Sequence, residues 1–133
     1  MEIEKLDVIQ TFSSNDGDLK VLHFRDLGFI PVRMYWLSGF TGASRRGQHA
    51  HRELAQIFIL LSGTVRLSFW DGKQSFEIDL DRNSHPLFVA PGFWREIYNF
   101  SEDALLLVLA DREFEESDYI RDKVEYQNWK NSL

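Results

Sequence analysis

The chain contains no cysteine, so neither a disulfide framework nor a thiolate-bound metal is open to it. It also lacks any apolar run long enough to cross a bilayer as a helix; IFILL (57–61) and ALLLVLA (104–110) are strand-sized. The opening MEIEKLDVIQ is charged and has no apolar centre of the kind a secretion signal needs, so a cytoplasmic location is expected. Positive charge is scarce. Lys and Arg number 15 against 21 Asp and Glu, a net charge of −6, whereas a nucleic-acid binder usually carries a basic excess. Neither nucleic acid nor a membrane is therefore an expected partner. No repeat, linker or low-complexity tract interrupts the chain. What is present is apolar: 44% hydrophobic residues, with Phe dominating the aromatics, is too rich for disorder. A length of 133 residues suits one domain with a real core, expected over 1–133.

Short stretches rich in Val, Ile, Phe, Trp and Leu follow one another between turn residues, and they predict strands at about 6–12, 19–25, 32–38, 47–52, 55–61, 64–70, 75–80, 86–90, 94–100 and 104–111. The punctuation is SNDGD, the Ser62-Gly63 pair, DGK after Trp70, DRNSHP and APG. Asp71-Gly72 predicts a two-residue hairpin turn, because Gly tolerates positive φ. After Asp111 the alternation stops, and EFEESDYIRDKVEYQNWKNSL predicts a tail with one or two helical turns, pinned by Tyr119, Tyr126 and Trp129. The fold class is all-β, a sandwich or small barrel whose inward-facing side chains line a cavity at one mouth.

Two features carry the chemistry. Arg outnumbers Lys ten to five, and Arg33, Arg45, Arg46, Arg52, Arg66 and Arg95 fall in the central part of the chain. Arg is favoured over Lys where a phosphate or carboxylate is gripped by two parallel hydrogen bonds, though a solvated strand face is the plainer reading of any one of them. The second feature is RRGQHAHREL (45–54). On a strand, His49 and His51 project to the same face. Facing inward they would aim two imidazoles at one small ligand; facing outward they would be ordinary surface groups. His23 and His85 stand alone near strand ends and receive no role.

A small β-barrel with glycine, the HxH pair and, some forty residues on, a Pro-Gly turn before a strand resembles the cupin superfamily, here through Gly42, His49, His51, Gln56, Gly63, Pro91 and Gly92. The resemblance implies a double-stranded β-helix, or jelly-roll, barrel. In metal-binding cupins the two remaining ligand positions hold a carboxylate and a third histidine; here they hold Gln56 and Arg95. A guanidinium has no free lone pair, and two imidazoles alone rarely hold a divalent ion tightly. No metal and no cofactor are therefore expected, and the histidines are free for proton transfer.

The match narrows further. RRGQHAHREL, LLSGTVRLSFWDG, LFVAPGFWREIYNFSEDALLLVLAD and ESDYIRD, in that order, resemble the metal-independent sugar 3,4-ketoisomerases of the WxcM-like cupins, which act on dTDP-4-oxo-6-deoxyglucose in the biosynthesis of unusual deoxy and amino sugars. The resemblance covers about Val32 to Asp122. It implies catalytic roles for His49, His51 and Tyr35, and substrate contacts from Arg33, Arg46, Gln56, Trp94, Arg95 and Asn99. It also implies a dTDP-linked 4-oxo-6-deoxyhexose as partner and a homodimer, with the MEIEKLDVIQTF start exchanged between copies. The chain departs from the family pattern at Arg95, where the family has a pocket histidine, at Asp16-Gly17-Asp18-Leu19, and at Gln48, where an aromatic is common. The implied reaction moves a carbonyl from C4 to C3 through an enediol, one histidine removing the C3 hydrogen and the other serving C4 or oxygen. The alternatives are a dTDP-sugar epimerase on the same barrel and a nucleotide-sugar-binding cupin without catalysis.

Overall fold

The computed structural model describes residues 3–133. Met1 and Glu2, the first two residues of the start expected to be exchanged, lie outside them. In chain order the elements are β1 (Ile3–Lys5), β2 (Ile9–Ser14), β3 (Gly17–Leu22), β4 (Arg33–Leu37), β5 (Arg46–His51), β6 (Gln56–Ser62), β7 (Thr64–Trp70), β8 (Ser75–Asp81), β9 (Leu87–Val89), β10 (Trp94–Tyr98), β11 (Leu105–Ala110), β12 (Tyr119–Ile120) and α1 (Lys123–Asn131). Two antiparallel five-stranded sheets have the orders β1-β9-β6-β11-β4 and β12-β5-β10-β7-β8, with β2 and β3 as a separate hairpin. This is the all-β architecture the strand pattern implies. No helix among the described residues is long and apolar enough to cross a membrane.

Strand alternation builds the core. In β7, Val65, Leu67 and Phe69 are buried while their neighbours are not, and they meet Phe58 and Leu60 of β6, Leu106 and Val108 of β11, and Ile97 of β10. Burying each such side chain contributes about 1.5–3 kcal/mol before its entropy cost is counted. A second cluster, Leu27, Ile57, Ile59 and Leu109, lies on the other face of β6 and β11 against Leu6, Val8, Leu22 and Phe29. β6 is thus apolar on both faces and reads as a continuous run, IFILL, rather than an alternating one.

Three local features differ from the sequence reading. The strand expected over 6–12 is interrupted, because β1 pairs with β9 while β2 pairs with β3, and residues 6–8 cross from one to the other. The turn after Trp70 has four residues, not two: Asp71 Oδ1 accepts from the amides of Lys73 and Gln74 at 2.9 and 2.8 Å, and the Asp71 amide donates to the Gln74 carbonyl at 3.1 Å. The C-terminal segment is more ordered than a pinned tail. Asp118 precedes β12, β12 pairs with β5, and α1 is capped by Asp122, whose carboxylate accepts from the Glu125 amide at 2.9 Å. Tyr126 of α1 is fully buried with Ala50, Trp94 and Ile120, and its hydroxyl lies 2.9 Å from the Trp70 carbonyl and 2.8 Å from that of Gly92.

Candidate active site

β4, β5, β6, β10 and the segment from Tyr119 to Arg121 enclose a cavity of about 530 Å³. Five arginines line it, Arg33, Arg45, Arg46, Arg95 and Arg121, and among the described residues no Asp or Glu does, although Glu96 and Glu116 pair with Arg45 and Arg121 beside it. In a chain of net charge −6 this is a concentrated positive field, suited to an anion.

β5 enters the site through a bulge. Arg95 of β10 pairs with His49 and Glu96 with Gly47, so Gln48 is the extra residue. Gly47 has φ 81°, which favours glycine, and a Cβ there would crowd the Arg95 carbonyl at 3.2 Å. The bulge brings the Gly47 carbonyl 2.7 Å from His49 Nδ1. His49 and His51 do share a face, as the strand period implies; their Nε2 atoms are 3.1 Å apart. Their access differs. His49 is on the cavity wall, whereas His51 is fully buried behind it, with Nδ1 3.0 Å from Asp118 Oδ2. Burial first, then the positive charge of Arg95, pushes His49 down to about 4 and His51 down to about 2.

Tyr35 of β4 meets the same cavity through a second chain. Arg95 Nη1 donates to Gln56 Oε1, and Gln56 Nε2 donates to the Tyr35 hydroxyl oxygen at 2.8 Å. The arginine can only donate, which fixes the amide's orientation. The Tyr35 oxygen therefore accepts, and its own hydrogen is free to point elsewhere. Burial raises the Tyr35 pKa above its usual 10, so the phenol keeps that hydrogen at neutral pH. Arg95 is only 1% exposed, and its Nη2 has no protein partner; Arg33 has two buried nitrogens, Nε and Nη2, in the same condition.

Seven of the nine residues singled out from sequence converge here: His49, Tyr35, Arg33, Arg46, Gln56 and Arg95 on the wall, and His51 behind it. Two do not. Trp94 points to the opposite face of β10, since neighbours on a strand alternate, and packs against Tyr126 with ring centroids 5.8 Å apart. Asn99 follows β10 with φ 54° and borders a different hollow with Thr64 and Arg66. Charged and aromatic groups without a site role in the sequence reading also stand here: Arg45, Tyr119 and Arg121 on the wall, and Asp118 behind it. All but Arg45 belong to ESDYIRD, whose motif was visible but whose pairing with β5 was not.

The donor set does not suit a metal. Gln56 is held between Arg95 and Tyr35, Arg95 cannot ligate, and no group of three His, Cys, Asp or Glu among the described residues is placed to hold an ion.

The family model FdtA, WxcM-like, C-terminal, matches residues 2–131. The chain belongs to this family. It is 32% identical over 130 residues to the TDP-4-oxo-6-deoxy-alpha-D-glucose-3,4-oxoisomerase of Aneurinibacillus thermoaerophilus, covering 98% of this chain and 91% of that protein. Among solved structures it superposes on a 3,4-ketoisomerase from Helicobacter canadensis with a TM-score of 0.91 and 34% identity, covering 98% of each chain. It also superposes on a histidine-to-asparagine variant of the 3,4-ketoisomerase QdtA from Thermoanaerobacterium thermosaccharolyticum, in complex with TDP-4-keto-6-deoxyglucose, with a TM-score of 0.92 and 27% identity, covering 98% and 95%.

Proposed function

We propose that this FdtA, WxcM-like chain is a TDP-sugar 3,4-ketoisomerase that moves the carbonyl of a TDP-linked 4-oxo-6-deoxyhexose from C4 to C3. The observation that carries this reading is the His49 imidazole on the wall of a cavity lined by five arginines and no carboxylate. The activity of the relatives supports it.

The hydrogen on C3 is acidic because it lies next to the C4 ketone. In this reading the His49 imidazole takes it, and the electron pair moves into an enediolate. Tyr35, whose hydrogen is free, supplies it to the C4 oxygen. The buried Arg95 guanidinium, with Nη2 unpaired, stabilises the developing oxyanion. Return of a hydrogen to C4 and loss of the C3 hydroxyl hydrogen complete the exchange. His51 does not touch the sugar and acts through His49. Gln56 positions Tyr35. Arg33 and Arg46, joined by Arg45 and Arg121, hold the diphosphate. The chemistry uses protons alone and runs without a metal.

The second copy expected from the family resemblance fits one surface. Met34 and Trp36 of β4, Leu61 of β6 and the hairpin residues Phe12 and Leu19 are exposed, and exposed apolar side chains of this size are the kind an interface covers. A homodimer through this face is part of the proposal, and sedimentation of the wild type against Trp36→Glu tests it. The activity itself is tested by incubation with TDP-4-keto-6-deoxyglucose and product NMR. A 3-oxo product confirms it. Unchanged substrate, or a product epimerised with its carbonyl still at C4, overturns it.

A further inference from the structure

Asp118 lies just before β12, and pairing of β12 with β5 sets it beside His51. It is 9% exposed and uses both carboxyl oxygens: Oδ1 accepts from the Glu53 amide at 2.7 Å, and Oδ2 is 3.0 Å from His51 Nδ1. Three contacts thus run in series, from the Gly47 carbonyl to His49 Nδ1 at 2.7 Å, between the two Nε2 atoms at 3.1 Å, and from His51 Nδ1 to Asp118 at 3.0 Å. Each needs one hydrogen. The Gly47 carbonyl can only accept, so His49 carries its hydrogen on Nδ1 and a neutral His49 has a bare Nε2. If His51 carries its single hydrogen on Nδ1, two lone pairs face each other across 3.1 Å. If it carries it on Nε2, a bare Nδ1 faces a carboxylate oxygen across 3.0 Å. Two hydrogens leave one contact repulsive in every arrangement, and three satisfy all of them.

We propose that Asp118 is a positioning residue which, with His51 and His49, forms a chain that holds three hydrogens in the resting protein, one of them between the two Nε2 atoms. With three, the chain is uncharged as a whole, either as a carboxylate with one imidazolium or as a carboxylic acid with two neutral imidazoles. Burial and the Arg95 guanidinium push both rings toward the neutral form, so the third hydrogen is held against that tendency by the two contacts that would otherwise be repulsive. The groups that face it are Arg95 from β10, Arg33 from β4, and Glu116, Tyr119 and Arg121 from the C-terminal segment. For catalysis, which rests on the isomerase reading, the consequence is that His49 Nε2 becomes a base only when its contact with His51 opens: the shared hydrogen then stays on His51 Nε2, the freed His49 Nε2 lone pair takes the C3 hydrogen, and that hydrogen is the one returned to the sugar.

The carboxyl is replaceable without disturbing the geometry. In Asp118→Asn, Oδ1 still accepts from the Glu53 amide, and the amide NH₂ donates to His51 Nδ1. Two neutral imidazoles then fill the chain, and only the third hydrogen is lost. The expected result is wild-type thermal stability, a KM within about threefold, and a kcat lower by about 10–100-fold, the range of a proton-transfer contribution. Wild-type kcat should fall on the alkaline side as the third hydrogen leaves, and that limb should be absent in Asp118→Asn. An Asp118→Asn protein with wild-type kcat and pH profile would mean that the carboxyl only packs, and would overturn the proposal. Nitrogen-15 and proton NMR of the unliganded wild type, with labelled histidine, reads the chain without any substrate. A hydrogen correlated with the Nε2 atoms of both His49 and His51 is expected near pH 7, and its absence refutes the chain. If the wild type leaves TDP-4-keto-6-deoxyglucose unchanged, the isomerase reading fails while the NMR result still decides the hydrogen count.

Discussion

Arg95 and Gln56, 39 residues apart in sequence, are hydrogen-bonded inside the cavity, guanidinium Nη1 to amide Oε1, and this bond determines what Tyr35 can do. With its oxygen committed to Arg95, Gln56 has only its NH₂ to offer Tyr35, so the phenol accepts and retains a free hydrogen. Gln56→Glu is nearly isosteric but reverses the second bond. A carboxylate cannot donate, so Tyr35 would turn its hydrogen toward residue 56 and away from the sugar. Activity is expected to fall by about 10–100-fold, with TDP affinity unchanged, in steady-state kinetics and calorimetry. Tyr35→Phe should lose as much, and the double variant little more than either alone, because both remove one hydrogen from one place.

His49 is the one imidazole on the cavity wall, so His49→Asn should abolish most turnover, by about 10²–10⁴-fold, while leaving TDP binding within a few-fold. Incubation with EDTA should not change the wild-type rate, since the donor set around His49 offers no third ligand. A chelator-sensitive rate that zinc or manganese restores would count against proton chemistry by side chains alone.

Much of this site is legible in the sequence because it rests on a short period. The HxH spacing places two rings on one strand face, and Arg33 and Tyr35 repeat the spacing on β4. What is not legible depends on bulges and long-range pairing. That His51 is buried while His49 reaches the cavity follows from β12 closing over that end of the strand, Tyr119 opposite His51. Trp94 shows the same limit from the other side. Motif adjacency to Arg95 suggests a pocket residue, yet adjacency on a strand means opposite faces, and the outer face of β10 is covered by α1. The helix itself is weakly signalled, because VEYQNWK has little amphipathic contrast and is held by tertiary contacts.

Those contacts give a stability prediction that spares the site. Tyr126 is fully buried, with its hydroxyl shared between the carbonyls of Trp70 and Gly92. Tyr126→Phe keeps the ring packing on Trp94 and Trp70 but leaves both carbonyls without that donor. A loss of about 1–3 kcal/mol is expected in urea unfolding, with kcat near wild type because the hydroxyl does not reach the cavity. A matching loss of kcat would show that α1 supports the site as well as the fold.

Arg33 leads to an opposite pairing of stability and function. Its Nε and Nη2 atoms are buried without a partner in the unliganded protein, beside the positive charges of Arg95 and Arg46 in a cavity with no carboxylate on its wall. A desolvated, unpaired cation destabilises the protein that contains it. A diphosphate that supplied the missing acceptors would recover that cost on binding. Arg33→Met retains the aliphatic stem and removes the charge, so the unliganded variant should melt at a higher temperature than the wild type. The same variant should bind TDP about 10–100-fold more weakly, as expected for the loss of a charge-assisted hydrogen bond. Thermal shift with and without TDP reads both effects in one experiment: the wild type should gain more from the ligand than Arg33→Met does. A variant that melts lower and still binds TDP normally would mean that Arg33 serves the fold, and that the anion is gripped by Arg45, Arg46 and Arg121 instead.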